Sequence, residues 1–248
     1  LNQIVTNQGF VDFILIENLM FYIELEKYIF SKNKINNICE IGGGFGSLAR
    51  IINSKKKIKY FLIDLPETNF LSSFYLSQSL KKKKIFAYHN VTDNCVSKED
   101  IKNYDIIILP PWVNFKNIKF DLFINTRSMM EMNLSIISDY FKFIENNISN
   151  NGFFYNCNRY YKDTSGFAVK FHKYPYDDFW KVVNSEPTWC QRRLHTLITQ
   201  RSSVKLDDIK KVMKKIGILS KSHTPHFLQS LLLFRKIKDI YEIFKKHR

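Results

Sequence analysis

Three glycines at alternate positions, Gly42, Gly44 and Gly46, follow the apolar run Ile38-Cys39-Glu40-Ile41 in this 248-residue chain. Glycine lets a backbone turn tightly after a strand and approach a ligand where a Cβ would collide. The spacing differs from the GxGxxG of dinucleotide sites, where a helix N-terminus grips a pyrophosphate. Glu40 stands two residues before the first glycine, and a carboxylate there repels a pyrophosphate but suits the cationic amino-acid end of a ligand. A second carboxylate, Asp64, closes the apolar run Tyr60-Phe61-Leu62-Ile63, 24 residues after Glu40.

The elements that must position these groups follow from hydrophobic period. Residues 10–30 read as an apolar-rich helix and 38–41 as a strand entering the glycine turn. A helix with Leu48, Ile51 and Ile52 on one face comes next, then a strand at 60–63 and a helix over 67–80 behind Pro66. Further strands are predicted at 85–88, 105–109, 121–124 and 152–157, with a helix over 134–148. Such alternation means a mainly parallel sheet covered on both faces. A helix over 206–217 ends at Gly217, and strands at 218–223 and 227–235 are expected to close the chain. Residues 159–204, aromatic and basic, have no clean period and read as an insertion.

The pattern hhExGxGxG at the first strand resembles the signature of class I S-adenosylmethionine-dependent methyltransferases. That resemblance implies a Rossmann-like α/β fold, a mainly parallel doubly wound sheet with an antiparallel last strand, and S-adenosylmethionine as cofactor. It implies that Asp64 accepts hydrogen bonds from the ribose hydroxyls. Longer words, Asp64-Leu65-Pro66-Glu67, Phe120 to Asn125 followed by Ser128 to Met132, and Gly152 to Tyr160, resemble the sugar O-methyltransferases of bacterial polysaccharide biosynthesis. This similarity runs over most of residues 10–236, firmer in the cofactor half than in the insertion. It implies one domain, residues 1–248, with a helical cap at 1–34, a core of 35–158 and 205–236, and a substrate wall at 159–204. The implied reaction methylates a hydroxyl of a nucleotide-linked sugar for capsule or lipopolysaccharide.

On that reading Glu40, Gly42, Gly44, Phe45, Gly46, Asp64, Leu65 and Asn125 are the cofactor contacts. Asn90 or Pro110 joins them according to whether 85–90 or 105–109 is the third strand. A hydroxyl acceptor must lose a proton, so a base is expected, contributing about 10²- to 10⁴-fold. His195, with an ordinary imidazole pKa near 6.5, and Glu131, just past the fourth core strand, are the leading candidates. His89 is a weaker third. Ser128, Asn158, Arg159, Tyr160, Arg192 and Arg201 are candidate acceptor contacts, since guanidinium forks grip phosphate bidentately. Asp177-Asp178 and Asp207-Asp208 are adjacent acidic pairs that could serve a metal; both sit where helix-start acids are ordinary, and no metal is expected.

Lys and Arg number 38 against 23 Asp and Glu, a net charge of +15 that invites nucleic acid, anionic lipid or a phosphorylated substrate. Thirty of the 38 are lysine, and Lys, Ile and Asn fill 82 positions, as an AT-rich genome would produce. The words Leu109-Pro110-Pro111-Trp112 resemble the [DN]PP[YW] motif of nucleic-acid amino-methyltransferases, but Leu109 cannot accept the hydrogen bonds that motif's first residue takes. A methyltransferase-like scaffold is the non-enzymatic alternative. Cys39, Cys95, Cys157 and Cys190 form no CxxC pair, and disulfides are not expected. No stretch is apolar enough to span a membrane, and no secretory signal is recognisable. A cytoplasmic protein acting on a small molecule, without nucleic-acid or membrane partners, is the expectation; a homodimer is compatible with it.

Overall fold

The computed structural model describes residues 3–6, 9–163, 166–188 and 191–222. Its centre is an eight-stranded sheet. The strands in chain order are β1 (Asn37–Ile41), β2 (Lys59–Ile63), β3 (Ile85–Ala87), β4 (Ile106–Leu109), β5 (Phe120–Thr126), β6 (Ile148–Arg159), β7 (Trp180–Pro187) and β8 (Leu194–Arg201). Their spatial order is β7-β8-β6-β5-β1-β2-β4-β3. Strands β3, β4, β2, β1, β5 and β6 run parallel, whereas β8 pairs antiparallel with β6 and β7 antiparallel with β8.

The central strands are buried on both faces, which is why they appear in the sequence as continuous apolar runs. Alternate side chains divide the core into two layers. Ile38, Tyr60, Leu62, Ile106, Ile124 and Tyr155 pack with helices α1 (Phe13–Leu25), α2 (Ser47–Lys55) and α3 (Pro66–Ser79). On the other face Cys39, Phe61, Ile63, Ile107, Phe123 and Phe154 pack with α4 (Leu134–Asn147) and α5 (Asp208–Ser222). Helix starts are capped by side chains: Asp12 accepts the Ile14 amide and Asn133 the Ile136 amide.

Three expectations change. The segment 10–30 begins as the end of a short hairpin, Gly9–Asp12 against Gln3–Thr6; the helix starts at Phe13 and passes into a π-turn over Glu26–Phe30. Residues 218–222 continue α5 rather than forming a strand, because Ile209, Ile216 and Ser220 keep one helical stripe buried past Gly217. The strand expected at 227–235 lies outside the described residues. Both antiparallel strands come instead from the segment read as an insertion, so 159–204 is half sheet. The third-strand ambiguity resolves as two strands: β4 sits beside β2, and β3 lies beyond it at the edge.

Candidate functional site

Ligands of open parallel sheets bind beyond the carboxyl ends of the strands. There a cavity of about 1060 Å³ opens. Its base is the glycine turn. The Gly42 amide donates to the Ile63 carbonyl at 2.7 Å, locking the turn to the end of β2. Gly42 has φ +72°, and a Cβ there would lie 2.0 Å from Ser128 Oγ. Gly44, at φ +58°, has no atom within 4 Å of where a Cβ would stand, so its bare face is turned to open space.

Asp64 stands against that face. Its Oδ2 accepts the Gly44 amide at 2.8 Å and its Oδ1 the Leu65 amide at 2.8 Å. Burial raises its pKa, and these amides work against that rise. The Thr68 side chain donates to the same carboxylate and also opposes the rise, so a ligand's hydroxyls would share or replace that donor. Pro111, Val113 and Phe115 add apolar lining, and Phe115 packs on Phe143 of α4, the helix that also brings Tyr140 to the cavity. The Tyr140 hydroxyl is pushed up to about 12, by burial and then by the charge of Asp64.

The acceptor side is polar. Arg127 has φ +66°, unusual for a residue with a Cβ, and its amide donates to the Cys157 carbonyl at 2.8 Å. Its guanidinium pairs with Glu17, a buried carboxylate of α1 that Gln191 also donates to at 2.8 Å. Burial raises the pKa of Glu17 and Arg127 opposes the rise. Glu131 lines the cavity with an exposed carboxylate held by Lys162.

Of the residues expected from sequence, Gly42, Gly44, Phe45, Asp64, Leu65, Ser128 and Glu131 line the cavity. The others do not. Glu40 is buried beneath the turn, where Tyr60 donates to it at 2.7 Å, so it cannot meet a ligand's cationic end directly. Gly46 faces Leu76 and serves as the helix start. Asn90 folds back, accepting its own strand's Ala87 amide at the sheet edge, and Pro110 is covered; the wall is made by Pro111. Asn125 and Asn158 are fully buried in an amide network. Asn125 donates to the Ile41 carbonyl and Ser128 Oγ and accepts from Met129 and Asn158; Asn158 accepts the Met130 amide and donates to Asn156.

His195 is likewise internal. Both ring nitrogens are engaged, Nδ1 with the Tyr160 hydroxyl and Nε2 with Ser185 Oγ, each at 2.8 Å. Burial lowers its pKa to about 4, so it stays neutral, and neither it nor Tyr160 reaches the cavity. Arg159 is half-buried and Arg192 exposed, both away from the lining. Arg201 sits at the opposite end of the sheet, because β8 runs antiparallel, and is clamped bidentately by Asp177. Asp178 of the same acidic pair goes to Lys210. Arg127, one of the arginines whose guanidinium forks suit a phosphate, lines the cavity, and Glu17, Thr68 and Tyr140 do so without having been picked out as site residues. An acid such as Glu17 inside the apolar residues 10–30 was the available signal.

Glu40 carries a pH signature. Burial raises its pKa from 4.5 to about 7, with Tyr60 opposing and Asp64 adding to the rise. A raised carboxyl pKa means the folded state holds the proton more tightly, so its contribution is full below 4.5 and is lost as pH rises to about 7. Glu40→Gln should therefore gain melting temperature relative to the parent between about pH 5 and about pH 8 in thermal scans. Parallel curves across that interval would refute the assignment.

No family model and no curated protein matches the sequence. Solved structures do match in fold. The mitomycin 7-O-methyltransferase MmcR aligns over 76% of this chain and 54% of its own at 12% identity, TM-score 0.51; the chain spans about half that protein's length. The magnesium protoporphyrin IX methyltransferase ChlM from Synechocystis PCC 6803, solved with bound SAM, aligns over 76% and 81% at 10% identity, TM-score 0.52. The PH0226 protein from Pyrococcus horikoshii OT3 gives 76% and 91% at 9% identity, TM-score 0.53. The chain shares the Rossmann-like fold of these structures, two of which are methyltransferases.

Proposed function

We propose that the cavity binds S-adenosylmethionine and that the protein is an O-methyltransferase acting on a sugar hydroxyl, with a nucleotide-linked sugar of surface polysaccharide synthesis as the substrate class. The observation that carries the cofactor is the pairing of Gly44 and Asp64: open backbone facing a carboxylate at the carboxyl ends of two adjacent central strands. The residues fit the group. Asp64 would take the ribose hydroxyls, and Pro111, Val113 and Phe115 would cover the adenine. When bound, the sulfonium supplies an electrophilic methyl.

The chain's own part is to align and deprotonate the acceptor. Alignment supplies much of the rate of an in-line displacement. Glu131 is the proton acceptor in this reading, because its carboxylate lines the cavity while His195 is sealed outside it. Lys162 pairs with the Glu131 carboxylate, and the acceptor hydroxyl's proton passes to that carboxylate as the hydroxyl oxygen takes the methyl and the carbon–sulfur bond breaks. Ser128 and Arg127 stand beside it to hold the acceptor's polar groups. The sugar assignment rests on the sequence words around Asp64, 120–132 and 152–160.

Glu131→Gln should lower turnover about 10²-fold or more with S-adenosylhomocysteine affinity retained. Full turnover would remove Glu131 from the role. Substrate class is tested by incubating the protein with labelled cofactor and a panel of nucleotide sugars, read by mass spectrometry for one added methyl group. Labelling of none of them, with a cofactor that binds, would reject the sugar reading.

A further inference from the structure

Helix α3 buries polar residues and exposes apolar ones. Asn69, Ser72 and Leu76 face the sheet, whereas Phe70, Leu71 and Phe74 are 75%, 58% and 66% exposed. The orientation is fixed from within: Asn69 Nδ2 donates to the Asp64 carbonyl at 2.9 Å, and Ser72 Oγ to the Asn69 carbonyl at 3.0 Å. Positions 70, 71 and 74 share one helical stripe, which continues through exposed Ser77 and Gln78; exposed Lys81 and Lys82 lie in the turn just past the helix end.

The same end of the helical layer is basic. Lys32 and Lys34 follow α1, Lys55 and Lys57 lie at the end of α2, and all four are exposed. Of the nearby acids, Glu26 is paired with Lys56 and Asp105 with Lys83, while Glu67 is exposed one turn before Phe70 and Leu71. Lysines at helix C-termini complement the helix dipole and need no further cause. Three adjacent large apolar side chains in water do, since contiguous exposed patches mark interaction surfaces.

We propose that this face is a docking surface for an anionic lipid bilayer. Phe70, Leu71 and Phe74 enter the headgroup region, and the lysines beyond α1, α2 and α3 meet the lipid phosphates. Charge selects this occupant. A net charge of +15 repels a second copy of the chain and is drawn to a negative surface. The exposed cations here are compact lysine charges with no arginine fork among them, which suits a diffuse headgroup layer better than a nucleic-acid strand. From sequence this helix looks ordinary, because nothing in 67–80 tells which stripe faces out.

The test is co-sedimentation of the full chain with vesicles of phosphatidylcholine, alone or mixed with phosphatidylserine. The parent protein should sediment with the mixed vesicles and be released by salt, as screening shortens the reach of the lysines. Phe70→Glu combined with Phe74→Glu should weaken the partition at least about tenfold, and Lys81→Glu with Lys82→Glu by a similar factor. Circular dichroism and melting should match the parent, because these side chains lie in solvent. The proposal is overturned by absence of sedimentation, by equal sedimentation of the variants, by a concentration-dependent dimer that the phenylalanine variants abolish, or by an oligonucleotide that displaces the protein from vesicles.

Discussion

Asp64→Ala should weaken S-adenosylhomocysteine binding by about two orders of magnitude in calorimetry. A hydrogen bond to a charged group is worth about 1.5–3 kcal/mol, and two ribose hydroxyls on one carboxylate give about 3 kcal/mol at the low end. Each 1.4 kcal/mol is about tenfold, so roughly 10² is the expected factor. The loss has a second component. Asp64 also receives the Gly44 amide, and without it the turn that must present bare backbone is no longer held to the end of β2 on that side. Asp64→Asn, which keeps one acceptor and loses the charge, should fall between. Unaltered affinity in the alanine variant would remove the cofactor assignment.

Gly42→Ala should cost stability more than binding. Its Cβ would stand 2.0 Å from Ser128 Oγ and 2.3 Å from Ser128 Cβ. Ser128 cannot turn aside, because its hydroxyl donates to the Ile41 carbonyl and accepts from Asn125. The left-handed backbone adds about 1–2 kcal/mol for a residue with a Cβ, and overpacking about 1–3 kcal/mol. A total near 3 kcal/mol lowers the melting temperature of a chain this size by about 6–12 °C. Gly44→Ala makes the contrast. It carries only the backbone cost, and its Cβ projects into the cavity, so it should lose ligand affinity while melting within a few degrees of the parent. A Gly42→Ala protein that melts with the parent would mean that the turn is not packed as described.

The glycine turn and the parallel sheet were legible because their signals are local. Gly42, Gly44 and Asp64 each sit at a strand end whose apolar run announces it, and the parallel sheet follows from such runs in alternation. What failed was whatever depends on orientation. Arg201 and His195 lie on one strand that runs against its neighbour, so Arg201 falls at the far end and His195 turns inward to Tyr160 and Ser185. Nothing in the spacing of a basic, aromatic stretch distinguishes a substrate wall from two edge strands. Glu40 misleads for a related reason: the strand's alternation sends it beneath the turn. Glu17 and Arg127, 110 residues apart, meet only through the tertiary fold.

The buried amides of Asn125, Asn156 and Asn158 tie the segments leaving β5 and β6 into one unit, to which Arg127, Ser128 and Glu131 belong. Amide side chains do not titrate, and these three are engaged with one another, so the links between the two segments, one jamb of the cavity, do not change with pH. Helix α1 meets that jamb through Glu17 on Arg127, so an ion pair ties the helical cap to the strand ends across the rim of the cavity.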